Sequence, residues 1–573
     1  MLSMIKRLPK GQVTIAILFL LLQVVSAIVL PYMTANIVNY GIISGDISYI
    51  WREGGLMIGV TLIGLVGQVL NPYFSAKIAY NFAGELRNDL YHKVLSFSKN
   101  EYDRFGMSSL LTRNTNDVAQ VQSLIEAGLK FLILSPLYLI GGIGMTYLLS
   151  PKLSLVFISI IPFLILGSVI IYKFANPLYS KMQKLLDQLN VLFREGLTGV
   201  KVIRAFRKEE ECYTNYQSTN EEYTKTAIKA GTIMSFFPPF ITLVLSITTI
   251  IIMGIGAQSI AAGEMEVGTI MAAISYSTQI LIGFAILTSV ILVIPRGQVS
   301  IQRIIEVLDT PLSIHNSAKP EVVEHNSLTF KQVDFKYPDA QKKTLEDINF
   351  HVEKGQTLAI IGSTGDGKTS LVNLISRLYD VDKGAVKIGG IDIRNLDISE
   401  LHDIVSLAPQ KSTLFMGTIR ENLRIAKPNA TDEEMWEALE LACASEFVHK
   451  LEDGLDSIVG KNGGNFSGGQ KQRLCMARTL LKNASIYIFD DSFSALDFKT
   501  DATIRRGMKN KLANAIIIIV AQRVSTVMDA DLIAVLDNGH LAGLGNHEEL
   551  SASNEVYQEI VQSQTYQNQE VGI

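Results

Sequence analysis

Gly362-Ser363-Thr364-Gly365-Asp366-Gly367-Lys368-Thr369 is the stretch that decides the fold of the C-terminal half of this chain. It follows the buried-strand run Thr357-Leu358-Ala359-Ile360-Ile361 and precedes Ser370-Leu371-Val372-Asn373-Leu374-Ile375, whose apolar residues fall at helical spacing. Strand, glycine loop and helix in that order predict a phosphate-binding loop. Glycines let backbone N–H groups close on phosphates at a helix N-terminus, where the dipole favours anions. Gly362, Ser363, Thr364, Gly365, Asp366, Gly367 and Ser370 are therefore expected around the phosphates of a nucleotide. Lys368 is expected on the β- and γ-phosphates and Thr369 on Mg2+. Asp366 is the odd member, because a carboxylate beside phosphates is repulsive unless it points away or meets a donor. Its side chain is expected to face a partner or solvent.

Other segments fall into order around this loop. Tyr337 follows a strand-like alternation, Leu328-Thr329-Phe330 and Val333-Asp334-Phe335, where a tyrosine can pack at a strand end. Gln410 closes Leu407-Ala408-Pro409-Gln410, and Asn465-Phe466-Ser467-Gly468-Gly469-Gln470 is a small-residue turn before a helix. Ile486-Tyr487-Ile488-Phe489-Asp490 is an apolar strand ending in a carboxylate, followed by Asp491, Ser494-Ala495-Leu496-Asp497 and Gln522. In this sequence order the motifs resemble the Walker A, Q-loop, signature, Walker B, D-loop and switch elements of ATP-binding cassette (ABC) proteins.

The resemblance implies roles residue by residue. Tyr337 would stack on adenine; Gln410 would reach Mg2+ and the attacking water; Asp490 would face Mg2+ with Thr369. Ser467, Gly468, Gly469 and Gln470 would contact the γ-phosphate of an ATP held by the opposite subunit. Asp491 and Gln522 would occupy the catalytic positions, where hydrolytic members of the family carry Glu and His.

The N-terminal half reads as membrane protein. The chain has 573 residues, 48% hydrophobic and 18% charged, with a mean hydropathy of +0.26, more apolar than a soluble protein of this size. A net charge of -4 gives no reason to expect a nucleic-acid partner. Cys212, Cys443 and Cys475 are far apart and odd in number, which suits reduced thiols rather than a disulfide or metal framework. Six spans long enough to cross about 30 Å of hydrocarbon lie near 13–38, 55–73, 129–149, 153–172, 233–255 and 269–294. Short connections alternate with two long ones, 76–127 and 173–230, that are rich in Lys and Arg, and Lys6, Arg7 and Lys10 precede the first span. Positive charge stays inside, so both termini and both long loops are expected in the cytoplasm of a multi-pass protein. The first apolar run is too long for a signal peptide and lacks a small-residue cleavage site.

The expected organisation is a bundle of six transmembrane helices with long cytoplasmic helical extensions over 1–305, a linker over 306–326 and an α/β phosphate-loop ATPase domain over 327–573. Glu101-Tyr102-Asp103-Arg104-Phe105-Gly106 and the segment from Glu195 to Phe206 resemble the two cytoplasmic loops of type IV ABC exporters, whose short coupling helices dock on the ATPase domains. The whole chain thus resembles a half-transporter of the bacterial cell membrane, with ATP and Mg2+ as cofactors and alternating access as its mechanism.

Two departures from the family pattern refine this expectation. Asp491 keeps the charge of Glu but is shorter by one methylene, and Gln522 can hydrogen-bond but cannot carry the charge of an imidazole. Lys461-Asn462 is a milder departure before the signature. A homodimer of this chain would hold two impaired sites, so the expected partner is a second half-transporter with the Walker B Glu and the switch His. Membrane lipid surrounds the spans, and their shortage of ionisable residues favours a lipophilic, drug-like substrate. Phe236, Phe237, Met253, Met271, Tyr276 and Phe284 are candidates to line its cavity or simply to pack helices. A lipid flippase, a peptide exporter, or a regulatory ATP-binding subunit that transports nothing are the alternatives.

Overall fold

The computed structural model describes residues 6–570 apart from 292, 326 and 339. The chain divides into two compact units, 1–95 with 108–310 and 96–107 with 311–573.

The first unit is helical. Six helices, Lys10–Ile42, Ile47–Leu95, Met107–Leu149, Pro151–Thr198, Glu209–Ala261 and Val267–Asp309, are long and apolar enough to cross a membrane. The second, fourth and fifth reach 49, 48 and 53 residues. At 1.5 Å per residue these exceed a bilayer roughly twofold, so the polar stretches between spans are continuations of the same helices. Apolar windows mark only where lipid would be, which is why the sequence shows spans of about half the helix length. The fifth is broken at Phe236: one helix ends at Ser235 and the next begins at Phe237 with Pro238 in its first turn. A proline has no N–H to continue the ladder but suits a helix start.

Small residues let these helices approach closely. A Cβ on Gly67 would lie 2.5 Å from the carbonyl oxygen of Phe19, and one on Gly268 2.3 Å from that of Ala35. Buried polar side chains find backbone acceptors: Asn71 Nδ2 donates to Ala16 O at 2.9 Å and the Tyr276 hydroxyl to Ile28 O at 2.8 Å. Tyr276 and Phe284 are 0% and 6% exposed, as interior packing residues are, whereas Phe236, Met253 and Met271 lie on the surface of the unit.

The second unit is built on a six-stranded sheet. Its strands are β3 (Thr357–Gly362), β6 (Val405–Ala408), β9 (Ile486–Asp490), β10 (Ile516–Val520), β11 (Leu532–Asp537) and β12 (His540–Gly545), in the order β12-β11-β3-β10-β9-β6. All pairings are parallel except β11 with β12. Ile516 to Val520 is buried on both faces, as a central parallel strand must be. A second sheet, β1 (Ser327–Phe335), β2 (Leu345–Glu353), β4 (Lys383–Ile388) and β5 (Ile391–Asp392) in the order β2-β1-β4-β5, has alternating burial along much of β2. Two short strands, β7 (Gly417–Thr418) and β8 (Ile458–Val459), pair with each other.

Residues 96–107 belong to this second unit. A helix over Lys99–Phe105 starts at a capping box, Ser98 with Glu101, and stops at Gly106, whose φ of 74° suits glycine. The other oxygen of Glu101 accepts from the Ser313 N–H at 2.9 Å, and Asp103 accepts from the buried Tyr379 hydroxyl at 2.6 Å. The second loop forms a helix over Val200–Ala205 with no buried residue.

Candidate nucleotide site

In an open parallel sheet, ligands bind beyond the carboxyl ends of the strands, and that rule collects most of the residues singled out above, though Gly362 and Ser363 are not in the cavity lining. Gly362 ends β3, Asp490 ends β9, Gln410 lies two residues past β6 and Gln522 two past β10. Their convergence closes a cavity of about 290 Å³ lined by Tyr337, Thr364, Gly365, Gly367, Lys368, Thr369, Ser370, Gln410, Asp490, Asp491 and Gln522, together with Thr344 and Val520. Thr344 and Val520 are the residues that sequence reading missed. Val520 is the strand residue facing the loop, and Thr344 is placed by β2; neither carries a local signal for binding.

The loop wraps around Lys368, whose ammonium donates to the carbonyls of Gly362 at 2.7 Å and Ser363 at 2.6 Å. Gly365 and Gly367 sit at φ +100° and +92°. A Cβ on Gly367 would also lie 2.7 Å from Leu345 and 2.9 Å from Thr344 O, so glycine there is fixed by both conformation and space. Lys368 opens the helix Lys368–Ile375, whose first-turn N–H groups have no intrahelical acceptor. Burial lowers the Lys368 pKa, against the opposing charges of Asp366, Asp491 and Asp490.

Thr369 Oγ1 donates to Asp490 Oδ1 at 3.2 Å. Asp490 is 3% exposed, and burial, with a smaller push from Asp491, holds its carboxyl up at about 6. Among the described residues no group of three or more His, Cys, Asp or Glu is placed to hold a metal. One carboxylate, one hydroxyl and the Gln410 amide are an oxygen set that fits Mg2+ shared with phosphates, because Mg2+ takes few protein ligands when phosphates are present.

Asp491 follows the strand in a left-handed turn with φ 50°. Its N–H donates to Val520 O at 3.1 Å and its Oδ2 lies 3.5 Å from Gln522 Nε2. Its pKa is raised by burial and lowered by the hydrogen bond from Gln410. The two unusual residues thus meet each other at one wall of the cavity. On the other side, Tyr337 shares a hydrogen bond with Ser370 at 2.8 Å, and Phe335 and Tyr379 both meet its ring edge-on, at 4.9 and 5.2 Å.

One expectation is corrected. Asp366 does not face solvent or an open partner surface: it is 8% exposed. Its carboxylate accepts from the Ser363 N–H at 2.5 Å and the Asn538 N–H at 3.3 Å, and it does not line the cavity. Of the two escapes from phosphate repulsion, meeting a donor is the one adopted.

Ser467, Gly468, Gly469 and Gln470, which the resemblance assigns to an ATP held by the opposite subunit, do not line this chain's own cavity. Ser467 and Gln470 form a reciprocal capping box at the start of the helix Gly468–Leu481, with Ser467 and Gly468 exposed. Gln472 on that helix bonds Ser494 and Ala495, and Arg523 holds the carbonyls of Ser494 and Leu496.

Comparison with known proteins agrees with this architecture. Residues 13–284 match the ABC transporter transmembrane region family, and residues 345–494 match the ABC transporter family. An uncharacterized ABC transporter ATP-binding protein of Mycobacterium tuberculosis is 37% identical over 96% of this chain and 95% of its own. An uncharacterized ABC transporter ATP-binding protein of Bacillus subtilis is 32% identical over 96% of each. A Staphylococcus aureus protein, provisionally named a multidrug export ATP-binding/permease protein, is 31% identical over 87% of this chain and 86% of its own. The solved structure of a bacterial Atm1-family ABC exporter with ATP bound aligns with a TM-score of 0.82 at 24% identity, covering 97% of this chain and 98% of that one.

A helical membrane unit joined to an ATP-binding cassette defines an ATP-driven membrane transporter. The chain belongs to the ABC transporter family; its second unit binds ATP, and ATP hydrolysis drives its transport.

Proposed function

We propose that this chain is one half of a heterodimeric exporter, in which its own Walker site turns ATP over slowly and its signature completes a productive site on the partner. The observation that carries the reading is the pairing of Asp491 with Gln522 at the cavity wall while every binding element beside them is kept. A general base must reach the water it activates. Asp is about 1 Å shorter than Glu, and a misplacement of that size can cost on the order of a hundredfold in rate. Gln522 holds Asp491 through an amide and supplies no titrating group near neutrality.

The exposed Ser467 and Gly468 support the second half of the proposal. A Cβ on Gly468 would meet nothing within 4 Å, so this chain's own packing does not require glycine there. Close approach by a ligand from outside does. Mg2+ bound with ATP would be held by Asp490, Thr369 and Gln410, and it would supply charge neutralisation at the transferred phosphate. The chain's own groups position that phosphate (Lys368, the loop N–H groups) and the purine (Tyr337).

The substrate is a lipophilic, drug-like compound, with both termini in the cytoplasm and the spans in a bacterial cell membrane. Apolar spans and the export name carried by the Staphylococcus aureus relative support this reading. The test is ATP-dependent accumulation of lipophilic dyes in inverted vesicles carrying this chain with its co-purified partner. Transport that survives removal of the partner's Walker B Glu would contradict the site assignment.

A further inference from the structure

Asp366 is an expensive residue for a loop that receives phosphates, and its surroundings show what it does there. It lies between two left-handed glycines, Gly365 and Gly367. Oδ2 takes the Ser363 N–H, at the start of the loop. Oδ1 takes the N–H of Asn538, in the turn between β11 and β12, whose left-handed pair Asn538 and Gly539 has φ 48° and 83°. Gly362 makes room for this: a Cβ there would lie 2.9 Å from Asp366 Oδ2 and 2.4 Å from Leu536 O. Asp366 returns a backbone bond to the same partner, its N–H donating to Ser363 O at 3.4 Å.

We propose that Asp366 is a positioning residue that ties the phosphate loop to the β11–β12 turn and keeps it in its nucleotide-accepting shape whether or not nucleotide is bound. The Asn538 contact lies outside the loop, and the Ser363 contact takes an N–H of a residue that does not line the cavity. The first-turn N–H groups of Lys368–Ile375 are left to the ligand. The carboxylate is buried with one N–H donor on each oxygen, and it lies near enough to Lys368 to favour that residue's charged form. A small neutral residue would avoid the repulsion but leave two backbone donors without acceptors and the loop without its tether. The inference rests on ATP binding at this loop and not on slow turnover or on any partner.

The experiment measures Mg2+-dependent binding of TNP-ATP to the full-length chain in nanodiscs, beside hydrogen exchange of peptides covering 362–367 and 536–540. Asp366→Ala should weaken binding about tenfold, the scale expected when buried donors lose their acceptor, with faster exchange in both peptides. Asp366→Asn keeps one acceptor oxygen and removes the charge. It should stay within about threefold of the parent, with faster exchange at 536–540 and little change at 362–367. If removing the charge tightens binding in either variant, or if Asn is as impaired as Ala, Asp366 acts by charge and the tether is wrong. Should the Ala variant fail to fold, the exchange pattern of the Asn variant decides alone: unchanged exchange in both peptides overturns the proposal. Failure of the parent protein to bind TNP-ATP would instead remove the ATP-binding ground, a separate outcome.

Discussion

Two glycines of the second unit, Gly367 and Gly468, occupy opposite situations. Gly367 is held at φ +92° with Leu345 and Thr344 pressed against the position of its missing side chain; Gly468 has ordinary helical surroundings and open space. One is dictated by the chain's own fold, the other by nothing within the chain. The difference teaches where each motif is completed. The phosphate loop, Gln410, Asp490, Asp491 and Gln522 close a cavity by themselves, while the signature presents an exposed cap. In our account these are halves of two different sites, one slow and one fast.

The strongest way to break that comparison is to spoil the exposed half. Gly468→Asp places a carboxylate where a partner's γ-phosphate would approach. ATPase activity of the assembled transporter should fall by about a hundredfold or more, the scale of losing stabilisation at a developing charge, while TNP-ATP binding at this chain's own loop persists. Loss of that binding together with activity would place the signature in the wrong site. A smaller effect comes from the closed half: Tyr337→Ala should weaken ATP binding about tenfold, as loss of a base-stacking ring does, with Tyr337→Phe close to the parent.

Acidity sharpens the same contrast, because Asp490 is buried in the cavity and the signature carries no comparable group. Its folded carboxyl titrates at about 6, above the ordinary Asp value of about 3.9. A raised carboxyl pKa contributes stability that is complete below the unfolded value and is lost as pH rises through about 6. Asp490→Asn should therefore raise the unfolding temperature of the protein without added nucleotide by a few degrees at pH 7.5 and by almost nothing at pH 4. An equal gain at both pH values would show that charge burial is not the cause. The smallest effect belongs to Asp491→Asn, which should change total ATPase by less than about threefold, because a site already impaired on the order of a hundredfold contributes little.

The cassette was almost fully legible in the sequence, since each motif there is a short backbone device read in order: strand, loop, strand end. The membrane unit was legible as six apolar spans and, from the helical composition of the long polar stretches, as helices extended beyond them. Its helix ends were not, because Ile47–Leu95 and Glu209–Ala261 continue as polar helix without a change of period. Asp366 was misread for a different reason. Its acceptor role depends on Asn538, 172 residues away in sequence and brought close only because β11 pairs with β3. Thr344 escaped for the same reason. Ser467 and Gly468 lie outside the cavity made by Lys368 and Asp490, and their assignment to an opposite subunit rests on the family resemblance rather than on any local pattern.

The central claim is that Asp491 and Gln522 throttle this chain's own site. The direct measurement is ATP turnover in the assembled transporter carrying Gly468→Asp to silence the partner's site, with and without Asp491→Glu and Gln522→His together. The account predicts that the double replacement raises the remaining turnover about a hundredfold; no gain would contradict it.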